Sequence, residues 1–325
     1  MRIRKLLRVR FVVDPFTEQE KIMAELTPMM QKYMETKEQY KDCILFYRLG
    51  DFYEMFFDDA LVASKELEIT LTGKSCGLEE RAPMCGIPYH AVEGYLSKLV
   101  SRGYKVAICE QVEDPKLAKG LVKREVIRVV TPGTNLNVQS LEAGKNNYLL
   151  SIAYTPDGIG ISAADVTTGD YYVTEVEDLK KLNDELMKYE PSEIICNEAF
   201  LVSGFDVNDL KSRLHISVNA LESHMFDDDG CRRILMKHFK VNTLIGLGVE
   251  EFPTGLLAAG ALLQYLYDTQ KTDLEHFTHI YPYLTSKYML LDSSTRRNLE
   301  LTETLREKQK RGSLLWVLDK TKTAM

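Results

Sequence analysis

The stretch RLGDFYEMF, Arg48 to Phe56, lies between two different sequence patterns. Before it, the aliphatic and aromatic residues of KDCILFYRL predict a strand over Cys43 to Leu49. After it, the apolar residues of MFFDDALVASKEL have helical spacing and predict a helix over Met55 to Leu67. The sequence therefore places Phe52 and Glu54 at a corner where a strand passes into a helix.

The residues around this corner predict a first domain over residues 23–140. Helical spacing of apolar residues alternates along the chain with short apolar runs that are typical of strands. The predicted helices are Pro28–Tyr40 and Ala91–Arg102, and the predicted strands are Glu68–Thr72, Lys105–Gln111 and Glu125–Val130. This mixture of elements indicates a mixed α/β domain of roughly 120 residues.

The segment EAGKNN, residues 142–147, is typical of a linker, and a second pattern over residues 146–250 follows it. Three runs joined by short turns predict hairpin-linked strands, namely NYLLSIAYT, GIGISAADV and DYYVTEV. A predicted helix, DLKKLNDELMKY, then precedes the strands PSEIICN and HISVNAL and the short helix CRRILMKHF. This order predicts a second α/β domain with a mixed sheet.

The composition changes at Pro253, where a third segment, residues 253–325, begins. PTGLLAAGALLQYLYDTQ is helical and almost wholly apolar, two more helical patterns follow it, and strand signals become sparse. The segment therefore predicts the start of an all-helical part. The sequence stops soon after an apolar helix face over Leu314 to Leu318. We therefore expect the chain to be the front part of a longer protein in which these helices find partners.

The opening residues 1–22 are basic and apolar, and they precede a second methionine, Met23. After Met23, Thr27 can cap a helix and Pro28 suits its first turn. We therefore expect an extra N-terminal segment over residues 1–22, upstream of the true start at Met23. A start at Met1, with a targeting segment or a basic arm, is the alternative.

Composition and charge exclude several classes of protein. Hydrophobic residues make up 45% and charged residues 27%, without the run of about 18 apolar residues that a membrane span needs. The six cysteines form no C-x-x-C pair, which favours buried reduced thiols. The net charge is −7, and residues 23–145 carry 16 Lys and Arg against 18 Asp and Glu. This balance argues against a protein that holds nucleic acid by charge alone.

The motifs of common catalytic and metal sites are incomplete. GKS, residues 73–75, ends like a phosphate loop, but Glu68 stands where the first glycine of that loop belongs. Asp165 and Asp170 flank VTTG between two predicted strands, which predicts a hairpin turn. The alternative for this pair is a metal site of the kind found in ribonuclease H-like nucleases. The sequence has no H-E-x-x-H, so we predict no catalytic residues and no metal ligands.

Phe52 and Glu54 allow two interpretations. In the first, Phe52 is a core residue and Glu54 lies in the first turn of a helix, where a negative charge is favourable. In the second, Phe52 is a wedge that enters the minor groove of a DNA duplex, separates two base steps and kinks the duplex. In this interpretation phosphates would repel the Glu54 carboxylate, so its presence is explained only if it forms a hydrogen bond with the edge of a base.

Several blocks of the sequence resemble the MutS family of DNA mismatch repair proteins. GDFYEMFFDDA resembles the mismatch-recognition motif of that family, and RAPMCGIPYHAVEGYLSKLVSRGYKVAICEQVEDP is similar to it through most of its length. REVIRVVTPGT, ADVTTGDY, DSSTRRNLEL and GSLLWVLDKTKTAM match further blocks. The resemblance extends from about Leu26 to Met325 and leaves out the first 22 residues.

The resemblance implies a domain order and roles for single residues. The order is a mismatch-recognition domain over 23–140, a ribonuclease H-like connector that is not a nuclease over 146–250, and the start of the helical core or lever over 253–325. Phe52 would stack on a mispaired base, and Glu54 would bond to the edge of that base. Side chains that would contact the DNA backbone or line the wedge are Lys74, Leu49 and Met84. Tyr53, inside the motif, is expected to pack inward.

The resemblance also implies the wider function. The chain would recognise mispaired or unpaired bases in double-stranded DNA, in the cytoplasm of a bacterium. It would be no enzyme itself, because the weak ATPase of the family, with its ATP and Mg²⁺, belongs to a C-terminal domain that this sequence lacks. Homodimerisation and binding of the repair factor MutL through the connector are implied for the full-length family. The alternative function is a protein-interaction portion of a repair factor that does not bind mismatches.

Overall fold

A computed structural model describes residues 25–113, 120, 122–135, 146–287, 289 and 291–321. The chain divides into two compact units, with the boundary between Thr131 and Pro132. The predicted extra segment 1–22, the start at Met23 and the linker residues 142–145 lie outside the described residues. Both units combine helices with a six-stranded sheet, which confirms the predicted mixed α/β class.

The first unit is built on a sheet with the strand order β3-β4-β2-β1-β5-β6. Its strands are β1 (Cys43–Leu49), β2 (Phe52–Phe56), β3 (Thr72–Lys74), β4 (Ala82–Pro88), β5 (Lys105–Gln111) and β6 (Arg124–Val130). Its helices are α1 (Pro28–Gln39), α2 (Phe57–Leu67) and α3 (Val92–Val100). The pair β1–β5 is parallel and every other neighbouring pair is antiparallel.

The two faces of this sheet are covered by different helices because side chains alternate along each strand. On one face, Leu45 and Phe56 pack with Met30 and Tyr33 of α1. On the other face, Phe46, Tyr53 and Met55 pack with apolar residues of α2 and α3. The residues of β2 therefore belong to two separate cores.

The region around the opening motif differs from the predicted strand-to-helix corner. Phe52 and Glu54 lie on strand β2, which pairs with β1 in a hairpin, and α2 begins at Phe57 instead of Met55. β4 was not predicted from the sequence. The strand predicted over Glu68–Thr72 is found at Thr72–Lys74, since Glu68 adopts a left-handed backbone with φ of 57° at the end of α2.

The second unit is built on a sheet with the strand order β11-β10-β7-β8-β9-β12. Its strands are β7 (Tyr148–Thr155), β8 (Gly158–Asp165), β9 (Asp170–Val176), β10 (Glu193–Cys196), β11 (Ser217–Ala220) and β12 (Tyr281–Pro282). Its first helices are α4 (Leu179–Tyr189), α5 (Glu198–Leu201), α6 (Val207–Ser212), α7 (Asp228–Phe239) and α8 (Pro253–Gln270). β7, β8 and β9 form an antiparallel meander, and β10 pairs in parallel with β7 and β11. The predicted mixed sheet is confirmed.

The apolar helix α8 packs directly on this sheet. Its buried residues share a core with side chains of β7, β8 and β9. Glu175 of β9 accepts hydrogen bonds from the backbone of Thr254 and Gly255 at the start of α8, at 2.5 and 2.9 Å. An almost wholly apolar helix needs burial on more than one side, and here the sheet and the α7 residues Cys231 and Leu235 share a core with it. Helix α8, the first element of the segment predicted from Pro253 onward, thus packs on the sheet of the second unit.

The residues after β12 form shorter helices than the sequence predicts. They are α9 (Ser293–Asn298) and α10 (Leu314–Leu318). The apolar side chains of α10 are exposed, by 40% for Leu315 and 68% for Leu318. Among the described residues, no helix has both the length and the apolar character to cross a membrane.

Candidate nucleic-acid interface

A two-residue turn, Gly50 and Asp51, projects the candidate wedge from the sheet. Leu49 and Phe52 are the last cross-strand partners before this turn. Gly50 has a φ of +59°, and glycine at the first central position is typical of the tight type II′ turn that joins hairpin strands. Phe52 is therefore the first strand residue after a tight hairpin, in a short strand that neighbouring strands hold on both sides.

Phe52 and Tyr53 have opposite environments. The Phe52 side chain is 46% exposed, whereas Tyr53 is 5% exposed and packs in the core with α2 and α3. The expectation that Tyr53 packs inward is confirmed. Exposure of a large aromatic side chain on a strand that is paired on both sides leaves apolar surface available for a ligand.

The five residues singled out from the sequence share one face of the sheet. Phe52 and Glu54 are two residues apart on β2, so both side chains lie on the same side. The register pairs β2 with β1 and β4, and β4 with β3, which carries this face across four strands. The other members of the face are Leu49, Met84 and Lys74. Helix α1 covers the Phe56 end of this face, and Phe52 lies at its exposed end.

Glu54 and Lys74 form an ion pair on this face. Lys74 Nζ donates to Glu54 Oε2 at 2.5 Å, although the two residues lie on strands that are separated by β4. The ammonium is also 5.6 Å from the centre of the Phe56 ring. The side chains are 34% exposed for Lys74 and 17% for Glu54. Lys74 thus neutralises the carboxylate that stands beside the candidate wedge.

Gly86 of β4 lies beside this arrangement. It lies opposite Glu54 in the register. A Cβ atom at Gly86 would be 3.6 Å from Glu54 Cγ and 3.8 Å from Phe52 Cδ1. The Glu54 and Phe52 side chains therefore converge over the position where any other residue would carry a side chain.

Arg48 fixes the hairpin from its opposite face. Its Nε donates to the Gly50 carbonyl at 2.5 Å, and its Nη1 lies 3.3 Å from Glu110 Oε1. The guanidinium carbon lies 3.7 Å from the centre of the Tyr89 ring, within the range of a cation–π contact. One side chain therefore links the turn, the neighbouring strand β5 and Tyr89, the residue that follows β4.

Two further bonds tie the motif to its neighbours. The Tyr53 hydroxyl donates to Glu110, and the Tyr89 backbone N–H donates to the Asp51 carbonyl at 3.0 Å. Burial, followed by the hydrogen bond to Glu110, raises the pKa of the Tyr53 hydroxyl above its usual value, so it remains a donor. Sequence reasoning missed Glu110 and Tyr89, although both lie in the second block of resemblance.

Asp165 and Asp170 form the turn predicted from the sequence. They are cross-strand partners at the end of the β8–β9 hairpin. Asp165 accepts hydrogen bonds from the Thr167 backbone at 2.8 Å and hydroxyl at 2.6 Å, and Asp170 accepts one from Thr168 at 2.9 Å. Local donors thus occupy both carboxylates. Within the described ranges, no three His, Cys, Asp or Glu side chains are placed to hold a metal ion.

All six cysteines are buried and unbridged, as predicted. Burial raises the pKa of five of the thiols to about 12, namely Cys43, Cys85, Cys109, Cys196 and Cys231. Thiols of this kind are packing groups, because nucleophilic attack requires the thiolate.

Comparison with known proteins finds two family models that match successive parts of the chain. Residues 27–139 match the family model described as MutS domain I, and residues 147–278 match MutS domain II. Relatives named "DNA mismatch repair protein MutS" are 70% identical in Lachnoclostridium phytofermentans, 54% in Ruminiclostridium cellulolyticum and 50% in Clostridioides difficile. Each alignment covers 93% of this chain and 32%, 35% and 31% of the respective relative. The chain thus spans about a third of the length of these curated relatives.

Proposed function

The chain belongs to the MutS family of DNA mismatch repair proteins, and on this basis we propose that it recognises mispaired or unpaired bases in duplex DNA. Phe52 enters the minor groove beside the faulty pair and stacks on one of its bases, and Glu54 accepts a hydrogen bond from the edge of that base. The observation that carries the proposal is the 46% exposure of Phe52 next to Glu54 on one sheet face.

Recognition through deformability suits a target that can occur in any sequence. Direct reading of base edges selects one sequence, whereas the energy of bending and unstacking depends on how well the local pairs hold together. Unstacking one step of a sound duplex costs a few kcal/mol, and a mispaired base costs less. Insertion of Phe52 returns about 1–3 kcal/mol through stacking. The balance favours insertion at a faulty pair and opposes it elsewhere.

The fixed hairpin supports this role for Phe52. A wedge that is ordered before binding loses little conformational entropy when it enters the duplex. The contacts of Arg48 with Gly50, Glu110 and Tyr89 restrict the turn next to Phe52. Most of the stacking energy therefore remains available to offset the cost of unstacking.

The family resemblance extends the proposal to the rest of the molecule. The second unit would be a ribonuclease H-like connector, supported by a meander whose first strand, β7, lies beside the parallel strand β10. Residues 253–325 would include the start of the lever helices. The complete protein would dimerise, hydrolyse ATP with Mg²⁺ at a phosphate loop outside these 325 residues, and bind MutL through the connector in the bacterial cytoplasm. Near neutrality of residues 23–145 suggests that the first domain alone holds DNA weakly.

The proposal is tested with the full gene product, because the curated relatives are about three times as long as this chain. The protein is titrated against duplexes that carry one G·T mispair, one unpaired T or neither, at one fixed salt concentration. Energy transfer between dyes at the duplex ends reports kinking. We expect tighter binding and shorter end-to-end distance for both faulty duplexes. Equal affinity and equal length for all three would contradict the proposal and favour the protein-interaction alternative.

A further inference from the structure

We infer that Lys74 is a positioning residue that supports mismatch binding through Glu54, an inference that rests on the proposed function. The resemblance suggests a contact between Lys74 and the DNA backbone. In the structure, however, the ammonium is already paired with Glu54 Oε2 at 2.5 Å. Lys74 therefore acts on the Glu54 carboxylate, which lies beside Phe52.

The pair depends on the path of both side chains across β4. The Lys74 side chain extends past Phe56, and its Nζ lies 5.6 Å from the centre of the Phe56 ring. Glu54 lies over Gly86, at which a Cβ atom would be 3.6 Å from Glu54 Cγ. The 17% exposure of the Glu54 side chain means that its carboxylate has few alternative positions. Lys74 therefore fixes the place of the carboxylate as well as its charge balance.

The pairing leaves one carboxylate oxygen available. Among the described residues, Glu54 Oε2 accepts from Lys74, and no hydrogen bond to Oε1 is present. An ionised carboxylate accepts hydrogen bonds at both oxygens, so Oε1 can receive an N–H while Oε2 stays with the ammonium. Bases in sound pairs use their pairing N–H groups on each other, whereas a base that the wedge displaces from a faulty pair has a pairing N–H to donate.

Charge balance explains why the carboxylate is tolerated next to DNA. An unpaired carboxylate would repel phosphates on every duplex and would lose solvation when the groove closes over it. Paired with Lys74, it brings no net charge to the groove. The ion pair thus retains the acceptor that detects the displaced base and removes the repulsion that would weaken all binding.

A double-mutant cycle separates this role from a direct phosphate contact. Lys74→Gln is made with Glu54 intact and in a Glu54→Gln background, and affinities for G·T and perfect duplexes are measured on the full gene product. Lys98→Gln is the matched control, since Lys98 is an exposed lysine on α3, which covers the opposite face of the sheet. Lys74→Arg tests whether a side chain that keeps the positive charge also keeps the affinity for the G·T duplex. Thermal unfolding of every variant reports any loss of fold.

We expect Lys74→Gln to weaken mismatch binding about fivefold or more with Glu54 present, and about twofold or less in the Glu54→Gln background. Lys74→Arg should restore most of the affinity, and Lys98→Gln should behave as wild type. Equal losses in both backgrounds would make Lys74 a phosphate contact and overturn the inference, as would no loss with Glu54 present. Wild-type protein that does not discriminate between the duplexes would instead overturn the proposed function itself.

Discussion

Phe52 and Tyr53 are neighbours in the sequence and face opposite sides of one strand, with 46% of Phe52 and 5% of Tyr53 exposed. Tyr53 and its bond to Glu110 hold the strand to the core, while Phe52 presents its ring at the exposed end of the sheet. Tyr53 therefore anchors the strand from which Phe52 projects. The same relationship explains why a large apolar side chain can be exposed without loosening the fold.

The first prediction concerns the turn before Phe52. Gly50→Ala should lower the free energy of unfolding by about 1 kcal/mol, because a φ of +59° strains any residue that has a Cβ atom. No heavy atom lies within 4 Å of the added Cβ, so strain is the only cost. Gly94→Ala in helix α3, which also meets nothing within 4 Å, is the control and should be neutral or stabilising. Urea unfolding of both variants checks this, and equal effects would contradict it.

The second prediction concerns the anchoring of the hairpin. Arg48→Ala should lower the free energy of unfolding by about 1–3 kcal/mol, since Glu110 and the Gly50 carbonyl lose a donor. It should also weaken mismatch binding although Phe52 is retained, because the wedge is then less ordered before insertion. Lys32→Ala is the control, since its pair with Glu35 is more than half exposed and contributes little. Wild-type mismatch affinity in the Arg48 variant would contradict the anchoring role.

The third prediction concerns the pH dependence of thiol reactivity. A pKa of about 12 leaves about one thiol in ten thousand ionised at pH 8, whereas an ordinary cysteine is about one quarter ionised. A small alkylating reagent should therefore modify Cys43, Cys85, Cys109, Cys196 and Cys231 slowly in the native protein at pH 8. All six cysteines should react quickly in guanidinium chloride. Mass spectrometry of timed samples checks this, and fast native modification of Cys43 or Cys85 would contradict it.

The fourth prediction concerns helix α8. A Cβ atom at Gly160 would lie 2.0 Å from the Thr254 carbonyl oxygen, so Gly160→Ala must displace the start of α8 from β8. We expect a loss of about 1–3 kcal/mol or more in the free energy of unfolding. Gly246→Ala, where nothing lies within 4 Å, is the control. Two similar unfolding curves would mean that α8 does not belong to the core of the second unit.

Helices and strands were predicted well where the apolar pattern of the sequence was clear. The prediction failed where backbone geometry determined where an element begins or ends. β1 and β5 have the predicted bounds. β2 was missed because it passes into α2 without a connecting loop, at Phe57 with its φ of +53°, so the apolar run has no visible break. β4 was missed because Pro83, Gly86 and Pro88 normally argue against a strand.

The candidate site was predictable only as separate residues. Leu49, Phe52, Glu54, Lys74 and Met84 were singled out from motif resemblance. Their common face follows from strand pairing, and the β2–β4 and β3–β4 registers could not be predicted without β4. The pairing of Lys74 with Glu54 depends on those registers. The ion pair is therefore information that the structure adds.

The most direct test of the account is the affinity ratio between a G·T duplex and its perfect counterpart, measured for Phe52→Ala on the full gene product at fixed salt. Loss of stacking worth about 1–3 kcal/mol should reduce this ratio by about fivefold or more. Leu61→Ala, which removes a side chain with the same 46% exposure from helix α2, should leave the ratio unchanged. An unchanged ratio in Phe52→Ala would show that Phe52 is not the wedge.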